Sequence, residues 1–192
     1  MKKTSLYEIR DLARKTGRAV YSIQQLANLI NKPKKIANVY AMRLVRKSLA
    51  RRLIRGKISF AEDEFIISSQ LIEPSYISLY SALLFHQLIK QVPKNIQCVA
   101  TANSREYNLL GIKYHKIPPR LFYGFKRYKK DFSYILVADP EKAVIDAIYL
   151  DIIPKDLLEE IYNDLDKKKL DEYLKRFQGW GKKKITRWLR DK

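Results

Sequence analysis

Residues 34–57 read K-K-I-A-N-V-Y-A-M-R-L-V-R-K-S-L-A-R-R-L-I-R-G-K. Placed on a helical wheel at about 100° per residue, the first part of this segment separates into two faces. One face has the i, i+3, i+4, i+7 spacing of a core stripe and consists of Ala37, Tyr40, Ala41, Leu44 and Ser48. The other face has no acid and carries Lys35, Asn38, Val39, Met42, Arg43 and Arg46. A surface helix selected only for solubility would mix both charge signs.

The end of the same segment predicts a hairpin. Arg51, Arg52, Arg55 and Lys57 bracket a short alternating stretch, and Gly56 gives its tip the backbone freedom of a turn. A basic helix followed by a hairpin indicates the recognition helix and wing of a winged helix-turn-helix. A solvated basic helix beside an edge hairpin explains the charge pattern equally well, so the preceding segments have to separate the two interpretations.

Two capped helices precede the basic one. Ser5–Glu8 and Ser22–Gln25 each have the spacing of a capping box, with a hydroxyl at the N-cap and Glu or Gln three residues later. Gly17 is expected to end the first helix, and Asn31-Lys32-Pro33 should break the second. Two short helices, a turn, a basic helix and a hairpin, in that order, favour a winged helix-turn-helix over residues 1–68.

The charge distribution points to a polyanionic partner. The 192 residues contain 39 Lys and Arg against 20 acids, a net charge of +19. Residues 1–60 hold 16 of these bases and two acids, net +14, which leaves 23 bases and 18 acids, net +5, for residues 61–192. Nucleic acid is the default partner of such an excess. We therefore expect binding to double-stranded operator DNA, with inverted repeats, through Lys34, Lys35, Asn38, Val39, Met42, Arg43, Arg46, Arg52, Arg55 and Lys57.

Within this set the roles should divide by chemistry. Lys and Arg would neutralise phosphates, while Asn38 and a neighbouring Arg would read base edges in the major groove.

The sequence has no run of about 18 apolar residues, so no membrane span is expected. Cys98 is the single cysteine, which excludes an internal disulfide and fits a reducing cytoplasm.

The remainder of the chain is expected to form a mixed α/β domain over residues 74–192, which makes the whole protein α+β. Residues 61–75 have the composition of a linker, and we place the boundary near residue 70. A helix should begin at Ser78, and Asp139-Pro140 should begin a core helix with Asp at the N-cap. Strands are expected at 96–101, 112–117, 122–125 and 134–138. Further helices and a basic terminal helix around Trp188 complete the domain.

The second domain offers little catalytic chemistry. Glu141, Lys142 and Asp146 are the nearest group to a catalytic cluster, but a nuclease would need several carboxylates converging on a metal. Asp146 is better explained as a hydrogen-bonded group on a buried helix. His86, His115 and Cys98 form a poor zinc set. We expect no metal, no cofactor and no enzymatic activity.

Aromatic and basic residues alternate over 122–130. This composition suits base stacking combined with phosphate neutralisation. We favour a strand whose Phe122 and Phe125 enter the core. The second half of the run stays open as a DNA or toxin contact, with Arg127, Tyr128, Lys129 and Lys130 as its residues.

Three segments resemble the AbiEi-type antitoxin family: P-S-Y-I-S-L-Y-S-A-L-L-F-H-Q-L-I (74–89), L-F-Y-G-F (121–125) and A-D-P-E-K-A-V-I-D-A-I-Y-L (138–150). With the winged helix, the resemblance covers roughly residues 5–150. It implies an N-terminal domain that represses the antitoxin–toxin operon. It also implies a larger domain that counters a nucleotidyltransferase-like toxin, directly or functionally. Ser48-Leu49 stands where we expect a glycine before the wing, and the residues after 150 are not explained by the resemblance.

These observations lead to one main expectation and two alternatives. The main expectation is a two-domain transcriptional autorepressor and antitoxin. The first alternative is an enzyme, either a nuclease or one that modifies the toxin, which would depend on a divalent metal. The second is an RNA-binding module that uses the basic aromatic run and would prefer single-stranded RNA to duplex DNA.

Overall fold

A computed structural model describes residues 5–190 and has an α+β fold, which confirms the expected fold class. The chain forms two compact units. The first contains the residues up to Leu71 together with Tyr128–Ile135, and the second contains Ile72–Arg127 and the residues from Leu136 onward. The short segment Tyr128–Ile135 therefore belongs to the first unit although it lies far along the chain.

The first unit has the layout of a winged helix-turn-helix. Its elements in chain order are α1 (Leu6–Lys15), β1 (Val20–Ser22), α2 (Ile23–Leu29), α3 (Lys34–Arg46), β2 (Arg51–Ile54), β3 (Lys57–Ser59) and α4 (Glu64–Leu71). The three strands form an antiparallel sheet in the order β1-β3-β2. The strands β2 and β3 make the wing, whose turn holds Gly56 at φ +80°.

Helices α1 and α2 begin where the sequence indicates. Ser5 and Ser22 both form complete capping boxes, with Glu8 and Gln25 closing the reciprocal bonds. At the end of α3, Ser48 takes the place of the missing glycine and adopts the left-handed conformation, at φ +54°. The amides of Ser48 and Leu49 donate to the carbonyls of Val45 and Leu44, which is the Schellman pattern.

A single apolar core holds the three helices together. Ala37, Ala41 and Leu44 of α3 are at most 1% exposed, as the wheel predicted. They pack in one cluster that also includes Ile9, Ala13, Tyr21, Leu26, Ala27, Ile30, Ile58 and Phe60. Tyr40 is only partly buried against this cluster. Small alanines on α3 let the helix lie close to its neighbours, so its orientation is set by packing.

The expectation of a linker at 61–75 is wrong. This segment contains α4, in which Ile66, Ile67 and Leu71 are buried. Gln70, also on α4, is completely buried, and its Oε1 accepts hydrogen bonds from the amides of Ala19 (2.9 Å) and Val20 (3.3 Å). The charge reversal at 62–64 that suggested a linker is the polar start of this helix.

The second unit is built on a mixed sheet. Its strands are β4 (Ser75–Ile77), β5 (Ile96–Ala100), β6 (Arg105–Tyr107), β7 (Ile112–Lys116), β8 (Phe125–Lys130) and β9 (Ser133–Ala138). The sheet order is β6-β7-β5-β4-β9-β8, and the tip of the β8–β9 hairpin is the segment counted with the first unit. The helices are α5 (Leu79–Phe85), α6 (Pro140–Leu150), α7 (Lys155–Glu160), α8 (Lys167–Leu174) and α9 (Gly179–Arg190).

One expected strand is misplaced. Phe122 follows a single 3-10 turn at Pro119–Leu121, and strand β8 begins at Phe125. Both phenylalanines nevertheless pack with Tyr76, at ring-centroid distances of 5.2 and 4.8 Å. Their aromatic role in the core is therefore confirmed although the strand boundary is not.

Candidate functional site

The outward face of α3 is the most distinctive surface of the first unit. Ala37, Ala41 and Leu44 are fixed in the core, which leaves the opposite face exposed. All six side chains expected there are exposed, namely Lys35, Asn38, Val39, Met42, Arg43 and Arg46, and Lys34 at the start of the helix is exposed as well. The helix contains no acid. The face therefore combines fixed positive charge with one amide and two apolar side chains.

The wing adds further cations in the same unit. Arg51, Arg52 and Arg55 are exposed, and the β2–β3 register shifts between Arg52 and Ile54. Lys57 differs from them, because it is half-buried and its ammonium donates a hydrogen bond to the carbonyl oxygen of Leu71. The structure therefore gives Lys57 a partner inside the unit and leaves the arginines on the surface.

The basic aromatic run is divided by strand alternation. Arg127 and Lys129 are exposed, whereas Tyr128 and Lys130 are half-buried. The Lys130 ammonium lies 2.8 Å from the Asp63 carboxylate and 5.1 Å from the ring centroid of Phe65. This geometry gives Lys130 a structural role within the first unit.

A buried ion pair occupies the centre of the second unit. Lys142 donates to Asp146 one turn later on α6, and the two side chains are 0% and 1% exposed. Asp146 also accepts hydrogen bonds from the hydroxyls of Tyr76 and Ser78, each at 2.9 Å. The Lys142 ammonium lies 5.0 Å from the ring centroid of Tyr123. Burial lowers the pKa of Lys142, while the nearby carboxylate of Asp146 opposes that shift.

Residues from the three segments quoted above surround this pair. Tyr76 and Ser78 come from the first segment, Gly124 from the second and Lys142 from the third. A Cβ on Gly124 would lie 2.9 Å from Lys142 Cγ, and Gly124 has φ +75°, so a larger residue would meet both a clash and a strained backbone. The three segments therefore meet around one buried charge pair.

The carboxylates beside this pair hold α8 against α6. Asp139 is the N-cap residue of α6, but its carboxylate does not cap the helix. It accepts from the Tyr173 hydroxyl at 2.7 Å and lies 2.9 Å from the Lys169 ammonium, which also pairs with Glu141 at 3.0 Å. Burial acts to raise the pKa of Asp139, but the bonds from Lys169 and Tyr173 outweigh it and lower the pKa overall.

Of the three residues considered for zinc, Cys98 and His115 lie on paired strands one register position apart, so their side chains alternate to opposite faces of the sheet, and His86 lies at the end of α5. His86 Nε2 lies 2.8 Å from the carbonyl oxygen of Ala138, and Cys98 is fully buried in β5. Burial lowers the pKa of His115 on β7 to about 4. Within residues 5–190, no group of three or more His, Cys, Asp or Glu side chains is placed to hold a metal ion.

Sequence reasoning missed a groove on the second unit. Its volume is about 650 Å³, and its apolar lining comes from Ile148, Ile153, Leu158 and Trp188. Lys155, Lys183 and Arg187 line it as exposed cations beside one exposed acid, Asp151, and Trp180 is 68% exposed at the same site. Trp180, Lys183, Lys184 and Arg187 follow the i, i+3, i+4, i+7 spacing of one face of α9. This spacing is visible in the sequence and could have predicted that the four side chains share one surface.

The fold and these surfaces define the protein as an α+β protein with an N-terminal winged helix. No protein-family model and no curated protein matches the chain. Among solved structures, it is similar to the crystal structure of the Rv2827c protein from Mycobacterium tuberculosis, with a TM-score of 0.52 and 13% sequence identity. The similarity covers 91% of this chain and 73% of that one. At this identity the similarity establishes a shared fold.

A further observation concerns membranes. In the part of the chain that the structure describes, no helix has both the length and the apolar character needed to cross a bilayer.

Proposed function

We propose that the protein is a DNA-binding autorepressor and antitoxin of the AbiEi type that acts without catalysis. The observation that carries the DNA-binding half is the exposed face of α3, on which four cations surround Asn38, Val39 and Met42 without any acid. A winged helix places such a helix in the major groove. The exposed arginines of the wing then supply additional phosphate contacts.

The charge makes a quantitative expectation about DNA. Each phosphate that Lys or Arg neutralises should steepen the log–log dependence of the binding constant on salt by about 0.9. The test is fluorescence anisotropy with the full chain and a labelled duplex between about 50 and 200 mM salt. An affinity that does not change with salt would contradict the proposal. Tighter binding to single-stranded RNA than to the duplex would favour the RNA-binding alternative.

Matched variants locate the contact. Arg43→Gln with Arg46→Gln removes two exposed charges from α3, and Lys90→Gln with Lys94→Gln removes two exposed charges from the second unit. Both pairs lower the net charge equally. The α3 pair should reduce the salt slope by about two, whereas the control pair should leave it nearly unchanged. Equal effects would indicate that total charge matters rather than α3.

The antitoxin half of the proposal rests on the second unit. Its support is the resemblance of its three core segments to AbiEi-type antitoxins, together with the shared fold of the Rv2827c protein. The groove beside α9 is the surface that we assign to the nucleotidyltransferase-like toxin. Exposed Trp and Arg around an apolar floor are typical of energetically dominant interface sites, and its cations fit an acidic patch on the partner.

Cell assays separate the two halves. Cells that express the toxin are given the full chain, and growth rescue and repression of the operon promoter are measured together. Lys183→Glu with Arg187→Glu should abolish rescue and keep repression, whereas the α3 pair should abolish repression and keep rescue. If the groove variant rescues growth fully, the toxin does not bind at this groove. If purified protein inactivates the purified toxin only when a divalent metal is present, the enzyme alternative is favoured.

A further inference from the structure

The centre of the α3 surface is apolar, which is unusual for a helix that contacts water. Val39 and Met42 are 41% and 54% exposed, and Ile36 on the same helix is 44% exposed. Scattered apolar side chains need no explanation, but these three are spaced by three residues along one helix. Charged residues surround them, since Lys35, Arg43 and Arg46 are also exposed.

The helical geometry shows which side chains of α3 point away from the core. The buried side of α3 is defined by Ala37, Ala41 and Leu44. At about 100° per residue, Val39 lies within about 15° of the direction opposite that side, and Met42 lies within about 50° of it. Asn38 lies about 90° away, on the flank. Arg46 lies within about 10° and Lys35 within about 30° of the same direction, but they lie at opposite ends of the helix. The apolar pair therefore occupies the middle of the outward face, and the amide lies at its edge.

Only one feature of the DNA major groove is apolar. It is the C5-methyl group of thymine, which apolar side chains recognise by contact. We infer that Val39 and Met42 contact thymine methyl groups, so that the chain reads T·A pairs at the centre of each half-site. This inference rests on the proposed DNA-binding function and specifies what that function recognises. The surrounding Lys and Arg side chains would hold the helix against the phosphates.

Replacing thymine by uracil tests this contact directly, because it removes the methyl group and keeps base pairing. A duplex that the full chain binds tightly is first selected from a randomised pool. Each thymine is then replaced singly by uracil, and Kd is measured by anisotropy at fixed salt. Burial of one methyl group corresponds to about a fourfold change in Kd. We expect losses of this size at one or two positions of each half-site.

Variants connect the methyl groups to the side chains. Val39→Ala should abolish the response to uracil at one position, and Met42→Ala at another, while the salt slope stays unchanged because no charge is altered. Ile36→Ala is the control, since Ile36 lies about 75° from the outward direction and should keep both responses. All three side chains are exposed, so the variants should fold.

The outcomes that oppose the inference are distinct. Salt-dependent duplex binding without a response to uracil at any position overturns methyl reading and leaves the DNA-binding function standing. Failure to bind duplex DNA removes the proposed function itself. A third outcome is that Val39→Ala and Met42→Ala dissociate a dimer in sedimentation and lower the affinity for thymine and uracil duplexes equally. The apolar pair would then be a contact between two copies of the chain, and the inference would be wrong.

Discussion

Lys142 and Asp146 form an ion pair that is almost completely excluded from solvent, one helical turn apart on α6. Neighbouring groups stabilise both buried charges, since two hydroxyl groups donate to Asp146 and two tyrosine rings lie near the Lys142 ammonium. Such a pair need not stabilise the fold more than apolar residues of the same volume would. Removing one partner, however, leaves an uncompensated charge.

The first prediction concerns this pair. Asp146→Leu should lower the free energy of unfolding by about 3–5 kcal/mol, because it leaves the Lys142 ammonium buried without a counter-charge. The double variant Lys142→Met with Asp146→Leu should recover most of that loss. Urea denaturation of both proteins measures the difference.

A control and an alternative outcome complete this test. Glu172 is exposed on α8, so Glu172→Leu should change the free energy of unfolding by no more than about 0.5 kcal/mol. If Asp146→Leu keeps its full stability and loses only growth rescue, Asp146 has a catalytic role and the second unit is an enzyme.

The second prediction concerns Ser48 at the end of α3. A non-glycine residue in the left-handed conformation costs about 1 kcal/mol, so Ser48→Gly should raise the free energy of unfolding by about 0.5–1 kcal/mol. Ser48→Val should lower it instead, since a β-branched residue tolerates φ +54° least. Thermal unfolding of the three proteins gives the order. Equal stabilities of the Ser, Gly and Val proteins would show that the conformation is not strained.

Local chemistry was readable from the sequence. The capping boxes at Ser5 and Ser22, the apolar stripe of α3 and the turn at Gly56 depend on residues within a few positions of each other, and the structure has all of them. The packing of Phe122 and Phe125 into the core was also predicted from composition. These features need no knowledge of distant partners.

Long-range contacts were not readable. The buried Gln70 Nε2 donates to the Ser133 hydroxyl at 2.9 Å across 63 residues of sequence, and this places the hairpin tip in the first unit. The partners of a buried glutamine cannot be recognised from its neighbours in sequence, and the charge reversal at 62–64 made this segment resemble a linker. Asp139 is the N-cap residue, as predicted, but its carboxylate bonds to Lys169 and Tyr173 from a later helix and not to the amides of its own.

The third prediction concerns pH. The ordinary pKa of histidine is near 6.5, and burial lowers that of His115 to about 4 in the folded protein. The unfolded chain therefore binds more protons between these values, so this contribution to stability is complete above pH 6.5 and is lost as pH falls towards 4. Since His115 is only partly buried, we expect a loss of about 1–2 kcal/mol after allowing for solvent screening.

Urea denaturation at pH 7 and pH 5 checks this value. His115→Gln lacks the titrating ring, so its stability should fall less between the two pH values than that of the unaltered protein. The difference between the two proteins isolates His115 from the carboxylates, which titrate in both. A parallel decline of the two proteins would show that His115 does not contribute.

The fourth prediction separates base contacts from phosphate contacts on the proposed DNA surface. Asn38 can pair with a base edge, and a good contact of that kind corresponds to about 1–3 kcal/mol of discrimination. Asn38→Ala should therefore lower the affinity for the selected duplex roughly fivefold to a hundredfold. Its effect on the affinity for a scrambled duplex should be small. Arg55 is exposed beside the wing turn and should contact a phosphate. Arg55→Ala should weaken both duplexes alike and make the salt slope shallower by about one.

Arg120 provides a matched control outside the proposed DNA surface, since Arg120→Ala removes one exposed charge from the second unit and should leave the salt slope nearly unchanged. Salt titrations of each variant on both duplexes give the slopes and the specificity ratios. Asn38 lies on the flank of α3, so its loss should affect base pairs at the edge of the half-site, whereas uracil responses at the centre persist. If Asn38→Ala and Arg55→Ala weaken both duplexes equally, neither residue reads sequence. Specificity would then have to come from Val39 and Met42 or from DNA shape.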